Sequence, residues 1–225
     1  MRAANLLLCI VLQVRQSVCA RMGVFMYQIV LASGSPRRKE ILSQVGISFV
    51  VNVSNIEEIT SQTTPENIVM ELSKRKAYDV AKRYTENTII IGSDTIVAYQ
   101  DQILGKPKDE EHAKEMLELL SGKTHEVFTG VTVIRKNESG EVSEQTFYEV
   151  SKVSFSGLTQ EDIMDYITSK EPMDKAGAYA VQGRFAVHIT RIEGDYYTIV
   201  GLPVARLYQE VKQLGFDLIR NLELK

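Results

Sequence analysis

Residues 27–38 read Tyr27-Gln28-Ile29-Val30-Leu31-Ala32-Ser33-Gly34-Ser35-Pro36-Arg37-Arg38. The run 27–32 reads as a buried strand. Ser33-Gly34-Ser35-Pro36 breaks it as a turn. Ser35 is an N-cap type and Pro36 suits the first helical position, so a helix is predicted over 36–45, stopped by Gly46. Strand, glycine turn and helix in close succession point to an α/β fold.

The alternation continues outward from this unit. A second strand is predicted over 47–53 and a helix from Thr64-Pro65-Glu66 to about Tyr84. An isoleucine-rich strand at 88–91 reaches Gly92-Ser93-Asp94-Thr95, which puts Asp94 at a strand end. Residues 96–99 and 103–104 flank a polar turn as a hairpin. Asp109 caps a helix to about Leu120, stopped by Gly122. Alternating segments at 125–134 and 141–155 form a long hairpin, and Thr159 caps a helix to about Thr168. A further hairpin is predicted from 187–192 and 196–200 around Glu193-Gly194-Asp195. The helix 203–214 closes the chain. Together these give one α/β domain over 26–225: a mixed, twisted sheet with flanking helices and long hairpins.

Residues 1–25 stand apart. Leu6-Leu7-Leu8-Cys9-Ile10-Val11-Leu12 behind Arg2 has the outline of a secretory signal. Its apolar run is short, and Gln13, Arg15 and Gln16 follow at once. It reads as an extension outside the fold, with Met22 and Met26 as later starts. No stretch is long and apolar enough for a membrane span.

Composition narrows the classes. The chain has 225 residues, 44% hydrophobic and 24% charged, which excludes disorder and fibres. Net charge is 26 − 29 = −3, which weighs against nucleic-acid binding. Both cysteines precede residue 20. That excludes a disulfide framework, a cysteine zinc site and a cysteine nucleophile in the body of the chain, and it suits a reducing, cytoplasmic setting.

Five groups of residues carry chemistry. Ser33-Gly34-Ser35-Pro36-Arg37-Arg38-Lys39 sits at a helix N-terminus, where free N–H groups and forked arginine donors suit a phosphate. Asp94, behind Gly92, suits a general base or metal ligand. Glu57-Glu58 could share a hard cation with it. Lys76, Lys106 and Lys175 lie beside glycine or proline or near the acids, a set that fits metal-assisted attack on a polyphosphate. Gly177 and Gly183 bracket Gln182, whose amide can read a base edge. The plain alternatives are a capped basic helix, a turn aspartate, solvated loops and glycine turns. Walker A, G-x-G-x-x-G, G-x-S-x-G and H-E-x-x-H are all absent.

In this order and spacing, these pieces resemble the Maf family of nucleoside triphosphate pyrophosphatases. The match runs through Leu31–Arg38, Gly92-Ser93-Asp94-Thr95, Gly105-Lys106-Pro107, residues 120–125, residues 171–179, Gln182-Gly183 and Gly201-Leu202-Pro203. The resemblance implies a fold similar to inosine-triphosphate pyrophosphatase, with a central cleft and a homodimer. It implies hydrolysis of a nucleoside triphosphate to the monophosphate and pyrophosphate, with Mg²⁺ or Mn²⁺. It assigns Asp94 as proton acceptor, Glu58 and Asp94 to the metal, and Ser33, Arg38, Lys76 and Lys106 to the phosphates. Arg37, Thr95 and Gln182 match the positions of the dTTP/UTP branch. Ala180, where many relatives have glycine, departs from the pattern. The family's link to septum formation supplies a rival reading: a non-catalytic regulator of cell division acting through a protein partner. That role would survive loss of Asp94.

Overall fold

The computed structural model describes residues 27–100 and 102–223; the extension 1–25 lies outside them. The chain runs β1 (Gln28–Leu31), α1 (Pro36–Gln44), β2 (Val50–Val51), α2 (Pro65–Ala81), β3 (Thr88–Tyr99), β4 (Gln102–Leu104) and α3 (Glu110–Leu120). It continues β5 (Thr124–Lys136), β6 (Val142–Phe155), α4 (Gln160–Thr168), three 3₁₀ turns between Glu171 and His188, β7 (Ile189–Glu193), α5 (Tyr196–Val200) and α6 (Val204–Gln213). A small hairpin, β8 (Phe216–Asp217) with β9 (Leu222–Glu223), ends the described chain.

One seven-stranded sheet is the frame. Its order is β2-β1-β3-β5-β6-β7, with β4 paired to β3. β1 runs parallel to β2 and β3, and the pairings from β3 onward are antiparallel. The mixed sheet expected from the sequence is therefore present. Period-two alternation sorts the side chains. Ile29, Leu31, Ile89 and Ile91 enter one core with Ile41, Leu42, Leu207 and Val211 from α1 and α6. Val30, Ile90 and Ile134 face the other side, against Ala77, Val80 and Ala81 of α2. A third cluster, around Leu117, Val127, Phe155, Ile163 and Phe185, closes the end where α3 and α4 pack.

Helix α2 comes unusually close to the sheet. A Cβ on Gly92 would sit 2.4 Å from the Ser73 carbonyl oxygen, and one on Gly130 would sit 2.3 Å from that of Val69. Val69 and Ser73 are one helical turn apart, so two turns of α2 rest on glycines of neighbouring strands. Ser73 Oγ also meets Thr132 Oγ1 at 3.0 Å. This seat puts the next turn of the helix, with Lys76, over the middle of β3.

Several local expectations change. Asp94 is not at a strand end: β3 is 12 residues long, and Asp94 lies within it opposite Gly130. The second strand shrinks to Val50–Val51. Residues 196–200 form helix α5, not a strand. The Asp195 carboxylate accepts from the Tyr197 and Thr198 amides, and this cap outweighs the strand preference of Tyr-Tyr-Thr-Ile-Val. β7 pairs instead with β6. Asp109 and Thr159 do cap their helices, Thr159 with a full capping box. Ser35 holds the cap position of α1, yet its hydroxyl makes no capping bond.

Candidate active site

The loop after β1, the middle of β3, the loop after β4 and the turns around Ala176–Val181 enclose a cleft of about 680 Å³. Its polar lining includes Ser33, Arg37, Arg38, Glu58, Lys76, Asp94, Thr95, Lys106 and Lys175. Alternation along β3 gives the cleft two sides. Asp94 points to the α2 face, while Ser93 and Thr95 point to the face that holds Arg38 and Gly201.

On the α2 side, Lys76 Nζ lies 2.6 Å from both Asp94 Oδ1 and Glu58 Oε1. Lys76 and Asp94 are buried, whereas the Glu58 side chain is about half exposed at 52%. Burial pushes the Glu58 carboxyl up, but the Lys76 hydrogen bond, with the charges of Lys76, Lys106 and Arg38, outweighs it and holds the group below its ordinary value. Two carboxylates thus converge on one ammonium. Among the described residues no cluster of three His, Cys, Asp or Glu side chains could hold a metal by itself. A pair of carboxylates is nevertheless the protein share of a Mg²⁺ site that takes its other oxygens from water and substrate phosphates, so Glu58 and Asp94 fit such an ion.

On the other side, Arg38 ties the loops together. Nε donates to the Gly201 carbonyl at 2.8 Å, Nη1 to Ser33 Oγ at 3.0 Å and Nη2 to Thr95 Oγ1 at 3.1 Å. Ser93 Oγ donates to the same Gly201 carbonyl at 3.0 Å. Burial lowers the Arg38 pKa, partly countered by the Asp94 charge; a guanidinium stays charged regardless. Three of its five N–H donors are spent on the fold, which leaves two for a ligand.

The structure brings together Ser33, Arg37, Arg38, Glu58, Lys76, Asp94, Thr95 and Lys106 around one cleft. Gln182 is different: it is exposed and does not line the cleft, although Ala180 and Val181 do. Arg37 faces Asp174 at 3.7 Å across the cleft mouth. Sequence reading missed Thr129, a buried hydroxyl of β5 that meets Thr95 Oγ1 at 2.9 Å. The available signal was a buried polar residue on a core face.

Residues 28–214 match the family described as Maf: Maf-like protein. The chain belongs to the Maf family. Maf-like relatives extend over most of it. A protein of Lachnoclostridium phytofermentans named dTTP/UTP pyrophosphatase is 79% identical over 197 residues, covering 88% of this chain and 100% of its own. One of the same name from Agathobacter rectalis is 54% identical, covering 85% and 100%. Among solved structures, a HAM1 protein from Coxiella burnetii is matched over 84% of this chain and 100% of its own, at 17% identity and a TM-score of 0.47. Among the described residues no helix of this Maf-like chain is long and apolar enough to cross a membrane.

Proposed function

We propose that the protein is a nucleoside triphosphate pyrophosphatase that hydrolyses dTTP and UTP, the activity named for its 79%-identical relative. The observation that carries the reading is the buried Lys76–Asp94 pair on the floor of a cationic cleft. An acid that is buried with a lysine, yet faces space large enough for a nucleotide, is placed for chemistry rather than for surface charge.

Water adds to the α-phosphorus, the bond to the bridging oxygen breaks, and pyrophosphate leaves with the monophosphate as second product. Asp94 meets Lys76 through Oδ1, and its other oxygen orients the water and takes its proton. Ser33, the N–H groups at the start of α1, Lys76 and Lys106 hold the phosphate oxygens and meet the charge that grows on them. Arg38 keeps Ser33 and Thr95 in place, and its two spare N–H groups add to the grip. Glu58 and Asp94 would hold Mg²⁺ or Mn²⁺. When bound, that ion neutralises phosphate charge. Arg37 and Thr95 face the nucleoside; Gln182 would join them only by a movement of the loop around Val181. The nucleotide pool is cytoplasmic, and a homodimer in that compartment completes the reading.

The test is pyrophosphate release from a panel of nucleoside triphosphates, with Mg²⁺, Mn²⁺ or EDTA, for wild type and Asp94→Asn. Metal-dependent release from dTTP and UTP, lost in the variant, is expected. Full turnover by a folded Asp94→Asn protein overturns the role of Asp94. Release from no nucleotide overturns the activity.

A further inference from the structure

Two hydroxyls in the cleft differ in whether their proton is free. Ser33 Oγ accepts twice, from Arg38 Nη1 at 3.0 Å and from the Ser35 amide at 3.3 Å. Its own proton remains for a ligand acceptor such as a phosphate oxygen. Thr95 is arranged the other way. Buried Thr129 Oγ1 lies 2.7 Å from the Thr198 carbonyl oxygen. A carbonyl only accepts, so the single Thr129 proton goes there. The 2.9 Å contact between Thr95 Oγ1 and Thr129 Oγ1 then requires Thr95 to donate. Arg38 Nη2 fills one Thr95 lone pair at 3.1 Å. One lone pair is left, so Thr95 can offer a ligand only an acceptor.

An ionised phosphate has acceptors alone and gains nothing from such a group. The cleft that Thr95 lines is also walled by the apolar Ala180, Val181, Ile199 and Val200, which suit the flat face of a base. We infer that Thr129 is a positioning residue that fixes the polarity of Thr95, so that the cleft takes a base donating an N–H at that point. This rests on the pyrophosphatase reading above. Uracil and thymine share such a donor in the N3 imide. Cytosine has an acceptor at N3 and cannot supply it. The ribose 2′-hydroxyl is not a donor that UTP and dTTP have in common. Thr129 thereby becomes a determinant of which pyrimidines are hydrolysed, although it touches none of them.

The experiment compares kcat/KM for UTP, CTP and 3-methyl-UTP in wild type, Thr129→Ser and Thr129→Val. Wild type should prefer UTP over the other two by at least about 10²-fold, because a polar partner left unpaired is strongly rejected. Thr129→Ser keeps the hydroxyl and should keep the preference. Thr129→Val frees the Thr95 proton to meet the cytosine N3, so the UTP/CTP ratio should fall at least about tenfold, chiefly through a lower KM for CTP. An unchanged ratio in Thr129→Val overturns the inference. If that variant does not fold, wild type decides: equal turnover of UTP, CTP and 3-methyl-UTP overturns the inference and leaves the pyrophosphatase reading standing. Release from no nucleotide overturns that reading and this inference with it.

Discussion

Replacing Gly92 by alanine tests whether the close seat of α2 sets the geometry of the site. Gly92 has no positive φ, so alanine meets no backbone strain there and the cost is steric. Its Cβ would lie 2.4 Å from the Ser73 carbonyl oxygen and 2.8 Å from the Ala77 amide nitrogen, where ordinary contact begins at 3.4 Å. The helix must lift by about 1 Å to relieve this. Lys76 sits on the lifted turn, and its 2.6 Å contact with Asp94 opens to about 3.6 Å, beyond a hydrogen bond. Overpacking of this kind costs about 1–3 kcal/mol, or about 2–4 °C in Tm for each kcal/mol in a chain of this size. A misplacement of about 1 Å in a catalytic group lowers the rate on the order of 10²-fold. Gly130→Ala presses on the preceding turn at Val69 from a position directly across the ladder from Asp94, so it should cost similar stability and also lower the rate. The measurements are thermal melts and kcat for UTP. A Gly92→Ala protein with lowered Tm but wild-type kcat would refute the argument that this seat places Lys76.

Two further expectations follow from buried groups. His125 is buried beside Phe155 and Tyr179, and burial lowers its pKa to about 4, whereas the unfolded chain protonates near 6.5. Its stabilising effect is therefore complete above pH ~6.5 and is lost as pH falls toward about 4, about 2 kcal/mol of it by pH 5. Urea denaturation at pH 7 and pH 5 should show that difference shrink by this amount in His125→Phe, and an equal pH dependence in the variant would contradict it. Arg38→Lys keeps the charge but cannot reproduce the bonds to Ser33, Thr95 and Gly201. It should lower stability by about 2 kcal/mol or more and reduce turnover of UTP, whereas an unchanged denaturation midpoint would show that the guanidinium does not hold the Gly201 loop.

Much of the fold was legible because local and tertiary preferences agree. The strand–turn–helix unit at 27–44, the capped helices at Asp109 and Thr159 and the long hairpin of β5 and β6 each carry their own signals. The errors came where a long-range or single-residue effect decides. Gly92 reads as a strand terminator, yet it is there to admit the preceding helix, packed across the sheet. Residues 196–200 have strand-forming side chains, and one aspartate cap turns them into a helix. The site followed the same division. Asp94, Lys76 and the β1–α1 loop were visible as chemistry-bearing types near glycine. The bonds of Arg38 to Thr95 and Gly201, and the proton of Thr129, depend on partners between 34 and 163 residues away, which no local pattern encodes.

The two-sided use of β3 sets a limit on how this enzyme can change. Asp94 and Thr95 are consecutive, so the proposed proton acceptor and the proposed base contact share a single peptide unit, and a one-residue slip of the strand would put the hydroxyl on the face of the acid and the acid on the face of the hydroxyl. Mutational drift in this strand therefore risks both tasks at once. The segments that border the cleft from outside the sheet, around Arg37 and Val181, carry no such double duty. New substrate preferences are free to arise there, while β3 stays as inherited hardware.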